Sequence, residues 1–367
     1  MMATQFNHSV SVDTLKVWVL APHLITTDAN LDYYYDFSQS IAEYTAAFNE
    51  LHINWQWQSV TMGDYKIVID EIVLERDVHH VFPIVFNLCD GDEVNGTPGI
   101  SVVKLLAEKE LVYTGADEFF YNITTSKILM KVAFDAAKVA TPKWLPVKKI
   151  NQSIISFFKQ LGTPIIIKPS VSGGSMGIGI KNVVYDIAQL EMQVKLMFQG
   201  YRGWNLATDG LLAEAFINGA EFTIFIVGNY NNRANAIIYQ PVERVFHESL
   251  PEHEKFLSFD RLWEIYEDET PMPNAANFYE YAIPTLSHHE AIKQLAWDAF
   301  EAVKGTGYAR VDIRMDKATG KLYVLEVNAQ CGISEDENFT SIGAILKFAK
   351  VSFTELVVQI INNSMNR

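Results

Sequence analysis

Two neighbouring stretches near the C-terminus constrain the fold most. Residues 307–316, GYARVDIRMD, and residues 321–334, KLYVLEVNAQCGIS, alternate polar and apolar side chains with a period of two. This alternation is typical of half-buried strands. The short sequence DKATG, residues 316–320, joins the two stretches, and a connection of that length favours an antiparallel hairpin. We therefore expect a β-hairpin with one polar and one apolar face.

A symmetric pairing of this hairpin brings four polar side chains together. It sets Asp312 beside Glu326 and Arg310 beside Asn328. Carboxylate and amide oxygens on rigid strands suit Mg²⁺ that also carries phosphates, and an arginine suits an anionic transition state. The alternative is a salt-bridged strand face in solvent. We favour the metal site, because the second strand runs into a glycine turn, AQCG, whose amides could bind an oxyanion.

The composition favours a folded, multidomain protein that binds small molecules. The chain has 367 residues, 49% of them hydrophobic, and a formal net charge of −15. This length and apolar content suffice for two or three cores. The negative charge argues against nucleic acid or an anionic membrane surface as a partner. With two cysteines, no signal-like N-terminus and no apolar run of membrane length, we expect a cytoplasmic protein.

The first part of the chain, to about residue 121, predicts an α/β unit. A compact apolar run at residues 15–21 is typical of a buried parallel strand, and residues 33–51 have helical spacing. The strand predicted at residues 81–88 ends in the acid- and glycine-rich sequence CDGDEVNGTPG. Open α/β sheets bind ligands at such strand ends, so we expect a substrate loop rather than a merely polar connection. Further strands are predicted at residues 55–60 and 111–114, and a helix at residues 100–109.

Three lysines stand out after residue 122. Lys127 and Lys131 lie on a helix predicted over residues 124–137, where either could be a solvated surface side chain. Lys168 interrupts the apolar run of a strand predicted at residues 163–170. Burying an ammonium group without an anion is costly, so Lys168 predicts an anionic neighbour or ligand.

The loop after this strand has the composition of a phosphate-binding turn. Residues 171–180, VSGGSMGIGI, contain four glycines and two serines, and a second strand is predicted at residues 181–185. Glycines let backbone amides crowd around an anion. An ordinary hairpin turn is the alternative. Because a strand rather than a helix follows, the pattern predicts a phosphate-covering hairpin and not a Walker loop.

Two glutamates flank the next turn. Glu214 lies in an apolar segment at residues 211–217, and Glu221 begins a strand predicted at residues 221–227. They could contact an adenine amine and a ribose diol, although ordinary edge strands also carry glutamates. The long polar segment from residue 243 to residue 284 has no clean period and predicts a lid. Helices are predicted at residues 288–305 and 354–361.

Taken together, these residues resemble the ATP-grasp enzymes, specifically the D-alanine–D-alanine ligase branch. The order and spacing of the lysines, the SGGSMG loop, the paired glutamates and the polar hairpin carry the resemblance, which is best from about residue 87 onward. It implies an α/β fold of three domains, with ATP between the second and the third. The domains would span residues 1–121, 122–212 and 213–367.

The resemblance also implies roles for individual residues. Lys127 and Lys168 would contact phosphates, covered by Gly174 and Ser175. Glu214, Phe216 and Ile217 would hold adenine, and Glu221 would hold ribose. Asp312, Glu326 and Asn328 would bind two Mg²⁺ or Mn²⁺ ions. Arg310, Lys168 and the Gly332 amide would act at the reaction centre.

The sequence departs from the family where substrates are expected. The GGxSxE signature is absent after the first strand, and Asp32 and Asp36 are the nearby acids. Cys89 and Asp90 replace the family's histidine-glycine. The lid has no evident lysine–tyrosine pair, and Arg261 is a cation there. Glu337 stands near the position of the serine that meets the acceptor carboxylate. Our substrate candidates are therefore Asp32, Asp36, Cys89, Asp90, Arg261 and Glu337.

We expect an ADP-forming ligase that joins a carboxylate to an amine through an acyl phosphate. Its products would be specialised conjugates, such as dipeptides or mycosporine-like amino acids. The alternatives are a D-alanine–D-alanine ligase of cell-wall synthesis and a non-catalytic nucleotide-binding protein. Its partners would be small-molecule substrates and a second copy of the chain, with no nucleic acid and no membrane.

Overall fold

The computed structural model describes residues 14–25, 36–150, 153–267, 269–338 and 340–366. Its first sheet is parallel, with the strand order β2-β1-β3-β4. Both faces of β1 are buried, since Val17 and Val19 pack into one core while Trp18 and Leu20 pack into another. The elements are β1 (Leu15–Pro22), α1 (Ser38–Glu50), β2 (Asn54–Val60), α2 (Tyr65–His79), β3 (Phe82–Asn87), α3 (Ile100–Glu108) and β4 (Val112–Tyr113).

Helix α2 has no counterpart in the prediction. Its buried side carries Val68, Ile69 and Ile72, but Ile67 and Leu74 are exposed. Apolar residues on both sides blur the helical period that would reveal an amphipathic helix. The helix predicted over residues 33–51 begins at Ser38, and residues 33–35 lie outside the described part of the chain.

The second sheet is antiparallel, with the order β5-β8-β6-β7. The helix predicted over residues 124–137 is two helices, because Ser126 is extended and its hydroxyl accepts a hydrogen bond from the Leu129 amide. The second strand of the hairpin is also shorter than predicted. The elements are α4 (Glu118–Thr125), α5 (Lys127–Ala137), β5 (Trp144–Val147), α6 (Phe157–Leu161), β6 (Ile165–Pro169), β7 (Val183–Val184), α7 (Ile187–Phe198) and β8 (Leu211–Ala215).

The third sheet contains the polar hairpin and has the order β12-β11-β9-β13-β14, with β10 paired to β9. The predicted register is confirmed: Asp312 lies opposite Glu326 and Arg310 opposite Asn328. The elements are β9 (Glu221–Asn229), β10 (Ile237–Ile238), β11 (Val242–Phe246), α8 (Phe259–Leu262), β12 (Tyr279–Ala282), α9 (Leu286–Ala302), β13 (Thr306–Met315), β14 (Leu322–Ala329), α10 (Ser341–Ala349) and α11 (Phe353–Met365).

The segment predicted as an irregular lid begins and ends in paired strands. β11 and β12 are antiparallel neighbours, and residues 247–278 connect them. This connection docks on the glycine loop, where the Trp263 Nε1 donates to the Gly174 carbonyl at 2.8 Å. The Glu269 carboxylate accepts from the Ile180 amide at 2.9 Å. The connection therefore covers the loop that is predicted to hold phosphates.

Two hydrophobic cores hold the third sheet against the rest of the molecule. In the first, Tyr44 of α1 and Phe86 of β3 share a cluster with Phe225 of β9 and Leu356 of α11. In the second, α9 packs on the opposite face of the sheet. The domain boundaries expected after residues 121 and 212 fall inside α4 and β8. Among the described helices, none is long and apolar enough to cross a membrane.

Candidate active site

A cleft of about 560 Å³ lies between the glycine loop, strand β8 and the β13–β14 hairpin. It brings together every residue that the sequence assigned to nucleotide, metal or reaction centre. These residues are Lys127, Lys168, Gly174, Ser175, Glu214, Phe216, Ile217, Glu221, Arg310, Asp312, Glu326, Asn328 and Gly332.

Two lysines and a glutamate form a buried ion cluster at one end of this cleft. Glu214 and Lys131 are each 1% exposed, and the Lys131 ammonium contacts Glu214 Oε1. Lys168 donates to Glu214 Oε2 at 2.6 Å. Burial alone would raise the pKa of the Glu214 carboxyl, but the two ammonium groups outweigh it and lower that pKa. Lys131 is thus a buried partner of the site, and the surface alternative for it is wrong.

A second buried cluster surrounds Glu221. Its two oxygens contact different arginines, Oε1 the Arg244 guanidinium and Oε2 the Arg314 Nε at 3.0 Å. Arg244 also lies over the Tyr279 and Tyr281 rings, at 5.2 and 5.5 Å from their centroids. Its Nε is buried and forms no hydrogen bond. The carboxylate expected to hold ribose is therefore already paired on both oxygens.

The hairpin side chains form a third cluster. Arg310 Nη2 donates to Asp312 Oδ2 at 2.9 Å, and Asn328 Nδ2 donates to the same oxygen at 2.9 Å. Burial alone would raise the pKa of Asp312, but Arg310, Arg244 and the Thr223 hydroxyl together outweigh burial and lower that pKa. Glu326 lies 3.6 Å from the Lys127 ammonium. The period of two in β13 and β14 puts all these groups on one face of the sheet.

These oxygens can form a metal site only with the help of an amide. Among the residues that the structure describes, no three His, Cys, Asp or Glu side chains form a group that could hold a metal ion. The expected set of Asp312, Glu326 and Asn328 therefore depends on the amide oxygen of Asn328. That oxygen is not used in the bond to Asp312, which Nδ2 makes.

The backbone of the glycine loop has a conformation in which an anion can approach its amides closely. Gly174 and Ser175 have φ values of +53° and +62°, in the left-handed region. Lys127 Nζ donates to the Ser172 carbonyl at 2.9 Å and so joins helix α5 to this loop. Successive amides in such turns form concave anion-binding sites.

Of the substrate candidates, Asp90 lines the cleft. It follows β3, in the loop that the sequence predicted to bind substrate. Asp90 is exposed to solvent in this loop. Asp32 lies outside the described residues.

The structure puts the other substrate candidates elsewhere. Asp36 caps helix α1 by accepting from the Ser38 amide at 2.9 Å. Cys89 is fully buried below the loop, and burial raises the pKa of its thiol. Arg261 is held in the lid by Glu254 at 2.8 Å. Glu337 lies on the surface, 2.7 Å from Lys347. None of these four lines the cleft.

Gln330 links the loop after β3 to the glycine turn after β14. Its Nε2 donates to the Asn87 carbonyl at the end of β3 at 2.9 Å, and its Oε1 accepts from the Ala116 amide at 2.7 Å. A Cβ on Gly115, where φ is +86°, would lie 1.6 Å from this oxygen. Gln330 is 2% exposed and comes two residues before Gly332. One side chain thus joins the ends of β3 and β14.

Sequence reasoning missed Arg244, Arg314 and Gln330 as site residues. Arg314 shares the period-two face of Arg310 and Asp312, so the signal was present. For Arg244 no such signal exists. Strand β11 buries the charged Arg244 and exposes the apolar Val245, which is the reverse of what the hydropathy of the two residues predicts. Gln330 follows the end of β14, where the alternation of side chains between two faces no longer predicts which way a side chain points.

Comparisons with known proteins agree with this geometry. Residues 134–362, more than half of the chain, match the family described as D-ala D-ala ligase C-terminus. The chain is 31% identical over 257 residues to a D-alanine–D-alanine ligase of Xanthomonas axonopodis pv. citri, covering 69% of this chain and 70% of that protein.

Solved structures share the fold over nearly the whole chain. The D-alanine–D-alanine ligase from Bacillus anthracis, complexed with ATP, superposes with a TM-score of 0.64 at 15% identity, covering 96% of this chain and 97% of that one. The ligase from Coxiella burnetii gives 0.64 at 16% identity, covering 96% of each chain.

Proposed function

The chain belongs to the D-alanine–D-alanine ligase family of ATP-grasp proteins, and from this premise we propose that it is an ATP-dependent, ADP-forming carboxylate–amine ligase. The observation that carries the proposal is the single cleft in which the glycine loop, two lysines and the Arg310–Asp312 hairpin converge. These groups suit transfer of a phosphoryl group to an acid, since that reaction needs clamping and charge neutralisation rather than a nucleophilic side chain.

The lysines and the glycine loop would hold the phosphates of ATP. Lys127 and Lys168 line the cleft with side chains 11% and 14% exposed, so both are shielded yet reachable. Amides of Gly174 and Ser175 would add donors from above. Phe216 and Ile217 would pack against adenine, close to the Glu214 carboxylate. Ribose would then lie towards Glu221, where Arg244 and Arg314 are already bound.

The donor set of the hairpin fits Mg²⁺. Asp312 and Glu326 provide hard carboxylate oxygens, and Asn328 provides an amide oxygen, which are ligands that Mg²⁺ accepts beside substrate phosphates. A bound Mg²⁺ ion would neutralise charge on those phosphates. Without it, Arg310 and Lys127 neutralise the two carboxylates.

The proposed reaction has two steps. A carboxylate oxygen attacks the γ-phosphorus of ATP, the bond to the β-phosphate oxygen breaks, and ADP leaves. An amine then attacks the acyl carbon, loses a proton, and expels phosphate to leave an amide. Arg310 and Gly332 both line the cleft, and the Arg310 guanidinium and the Gly332 amide would stabilise the oxyanion that forms when the amine attacks the acyl carbon.

Isotope transfer tests this chemistry. With ¹⁸O in the carboxylate substrate, we expect one labelled oxygen in the released phosphate, and ADP as the nucleotide product. AMP and pyrophosphate as the main products, with no label in phosphate, would contradict an acyl phosphate.

For the substrates we propose D-alanine as both acid and amine, in preference to a specialised conjugate. The named curated relatives support this choice. From the sequence alone we expect the acids Glu335, Asp336 and Glu337 to repel an acceptor carboxylate and to make D-alanine a poor second substrate. None of the three lines the cleft, and Glu337 is paired with Lys347, so this expectation has no support in the geometry of the cleft.

A second candidate is ligation of a different amino acid or amine. It is favoured by the absence of the family's GGxSxE sequence after β1. A panel of D- and L-amino acids and diamines, assayed with ATP and Mg²⁺ by mass spectrometry, separates the two. D-alanyl-D-alanine as the best product supports the first candidate. A purely nucleotide-binding role would give no ADP with any substrate.

A further inference from the structure

The cluster around Glu221 has two cations for one carboxylate. Arg244 and Arg314 contact its two oxygens, and in the described part of the chain Glu221 is the one carboxylate that either guanidinium contacts. The two arginines are 5% and 3% exposed, and both line the cleft. Burying a charge without a counter-charge is costly. The surplus positive charge therefore favours an anionic ligand at this point of the cleft.

Arg314 is fully engaged by the protein. Its Nε donates to Glu221 Oε2 at 3.0 Å, its Nη1 donates to the Ile217 carbonyl at 2.8 Å, and its Nη2 donates to the Lys255 carbonyl. The guanidinium thus joins β13 to the segment after β8 and to the connection between β11 and β12. Because all three nitrogens have a partner, we assign Arg314 to holding these segments together.

Arg244 has donors to spare. Its Nη1 donates to Glu221, and its Nη2 donates to the Tyr281 hydroxyl at 3.3 Å. Its Nε is buried and forms no hydrogen bond within the described chain. A guanidinium has more N–H groups than these two bonds use. The Tyr279 and Tyr281 rings, 5.2 and 5.5 Å away, hold the group in place. Arg244 is therefore the arginine of the pair that can bind a ligand.

The register of the third sheet places Arg244 between the two ends of the nucleotide site. Arg244 lies opposite Glu221, and Glu221 lies opposite Arg314. On one side of this row, Arg314 is bonded to Ile217, in the segment proposed to hold adenine. On the other side, Asp312 of the proposed metal site is two residues away on β13, roughly 7 Å along the strand. A nucleotide that spans the two would have its ribose and first phosphate at this row.

We propose that Arg244 binds the phosphate of the nucleotide that is attached to the ribose, and that Glu221 is the counter-ion that positions this arginine. The inference rests on the proposed function, because it adds a residue to the ATP site of the ligase. Arginine suits the task, since its planar N–H groups match phosphate oxygens. This phosphate remains on ADP, so Arg244 contributes to binding of the nucleotide and takes no part in bond breaking.

Other occupants fit the cluster less well. A ribose hydroxyl is neutral and would leave the surplus charge unmatched. Mg²⁺ would be repelled by the two guanidinium groups. The acid substrate must reach the γ-phosphate beside Arg310, which lies four residues from Arg314 on β13, roughly 13 Å along the strand. An arginine with a purely structural role is expected to have its buried N–H groups bonded within the protein, unlike the Nε of Arg244.

The test uses binding rather than turnover, so that it does not depend on the identity of the acid and the amine. Adenosine, AMP and ADP are titrated as competitors of a fluorescent ADP analogue. In Arg244→Met, we expect the Kd of AMP and of ADP to rise about tenfold. The Kd of adenosine should change less than about twofold, because adenosine has no phosphate. In the turnover assay, the KM for ATP should rise while kcat changes little, which is the pattern of a contact that is equally strong in the ground state and the transition state.

Arg244→Lys and Arg233→Met are the comparison variants. Arg244→Lys keeps the charge but loses the planar fork, and it should recover part of the lost affinity for AMP. If Arg244→Met does not fold, Arg244→Lys alone should bind AMP about threefold or more weakly than the wild type while binding adenosine normally. Arg233→Met removes an exposed guanidinium that lies over the Trp297 ring, 5.5 Å from its centroid. It should leave the Kd of all three ligands unchanged.

The pattern across the three ligands decides the role of Arg244. An equal rise for adenosine, AMP and ADP would overturn the proposal, because Arg244 would then only support the fold of the cleft. A rise for ADP without one for AMP would overturn it by assigning Arg244 to a different phosphate, and unchanged binding of AMP would exclude the contact. The expected pattern, together with no ADP formation from ATP with any acid and amine, would support Arg244 and overturn the ligase proposal.

Discussion

The two ends of the cleft use their charges in opposite ways. At the nucleotide end, Glu214 and Glu221 are each held by two cations, and these clusters are almost fully buried. At the substrate end, Asp90 is held by no other residue of the described chain and lies on a loop that is stabilised by its own bonds. Each cluster at the first end has two cations for one carboxylate and therefore carries a net positive charge before any ligand arrives, whereas Asp90 is an acid with no cation beside it.

The comparison distinguishes charged side chains that are paired within the protein from a charged side chain that is not. Charges that are already paired stay fixed because breaking the pairs is costly, so Glu214 would position in advance the lysine that we propose to bind phosphate, Lys168. An unpaired charge contributes little to folding but strongly to the choice of ligand. Substitutions at the first end should therefore affect stability and turnover together, and substitutions at the second should affect affinity alone.

The largest expected effect is on stability. Glu214→Gln leaves Lys131 and Lys168 facing each other without an anion, and losing one member of a buried ion cluster costs about 3–5 kcal/mol. Unfolding by urea, followed by circular dichroism, measures this. Glu337→Gln is the control, since its pair with Lys347 is exposed and should be worth about 0–1 kcal/mol. Equal losses in the two variants would mean that the nucleotide end is not a stabilising cluster.

Turnover gives the next effect. Lys168→Met removes a charge that faces the phosphates, and we expect the activation barrier to rise by about 2–4 kcal/mol, as for the loss of one preorganised donor. Rates of ADP formation at saturating substrate measure it. Lys149→Met, at an exposed position, should leave the rate unchanged. Glu326→Gln should resemble Lys168→Met. Near-normal turnover in both would rule out the assigned phosphate and metal roles.

The sequence alone was sufficient to predict side-chain positions where the regular geometry of a strand decides which way a side chain points. Arg310 and Asp312 are two residues apart on a strand, and their common face and hairpin register follow from the period of two. The glycine loop and Lys168 were likewise identified by their residue types, because glycine-rich turns and lysines both suit phosphate and other anions. The family resemblance then placed them in one cleft.

Elsewhere the sequence could not decide. Asp90 and Glu337 are both acids in loops, and only the path of the backbone makes one line the cleft and the other reach Lys347. Lys131 looked like a surface lysine because its partner, Glu214, lies 83 positions later in the chain. Pairings of that kind depend on tertiary structure, which local patterns do not contain.

The hydrogen bonds of Gln330 have a consequence for how this chain can diverge. Gly115 has no room for a Cβ while Gln330 fills the space, so a larger residue at position 115 requires a change at position 330 as well. The same glutamine holds the end of β3 against the glycine turn after β14. We therefore expect descendants of this sequence to keep the glycine and the glutamine as a pair while other side chains on the two loops change.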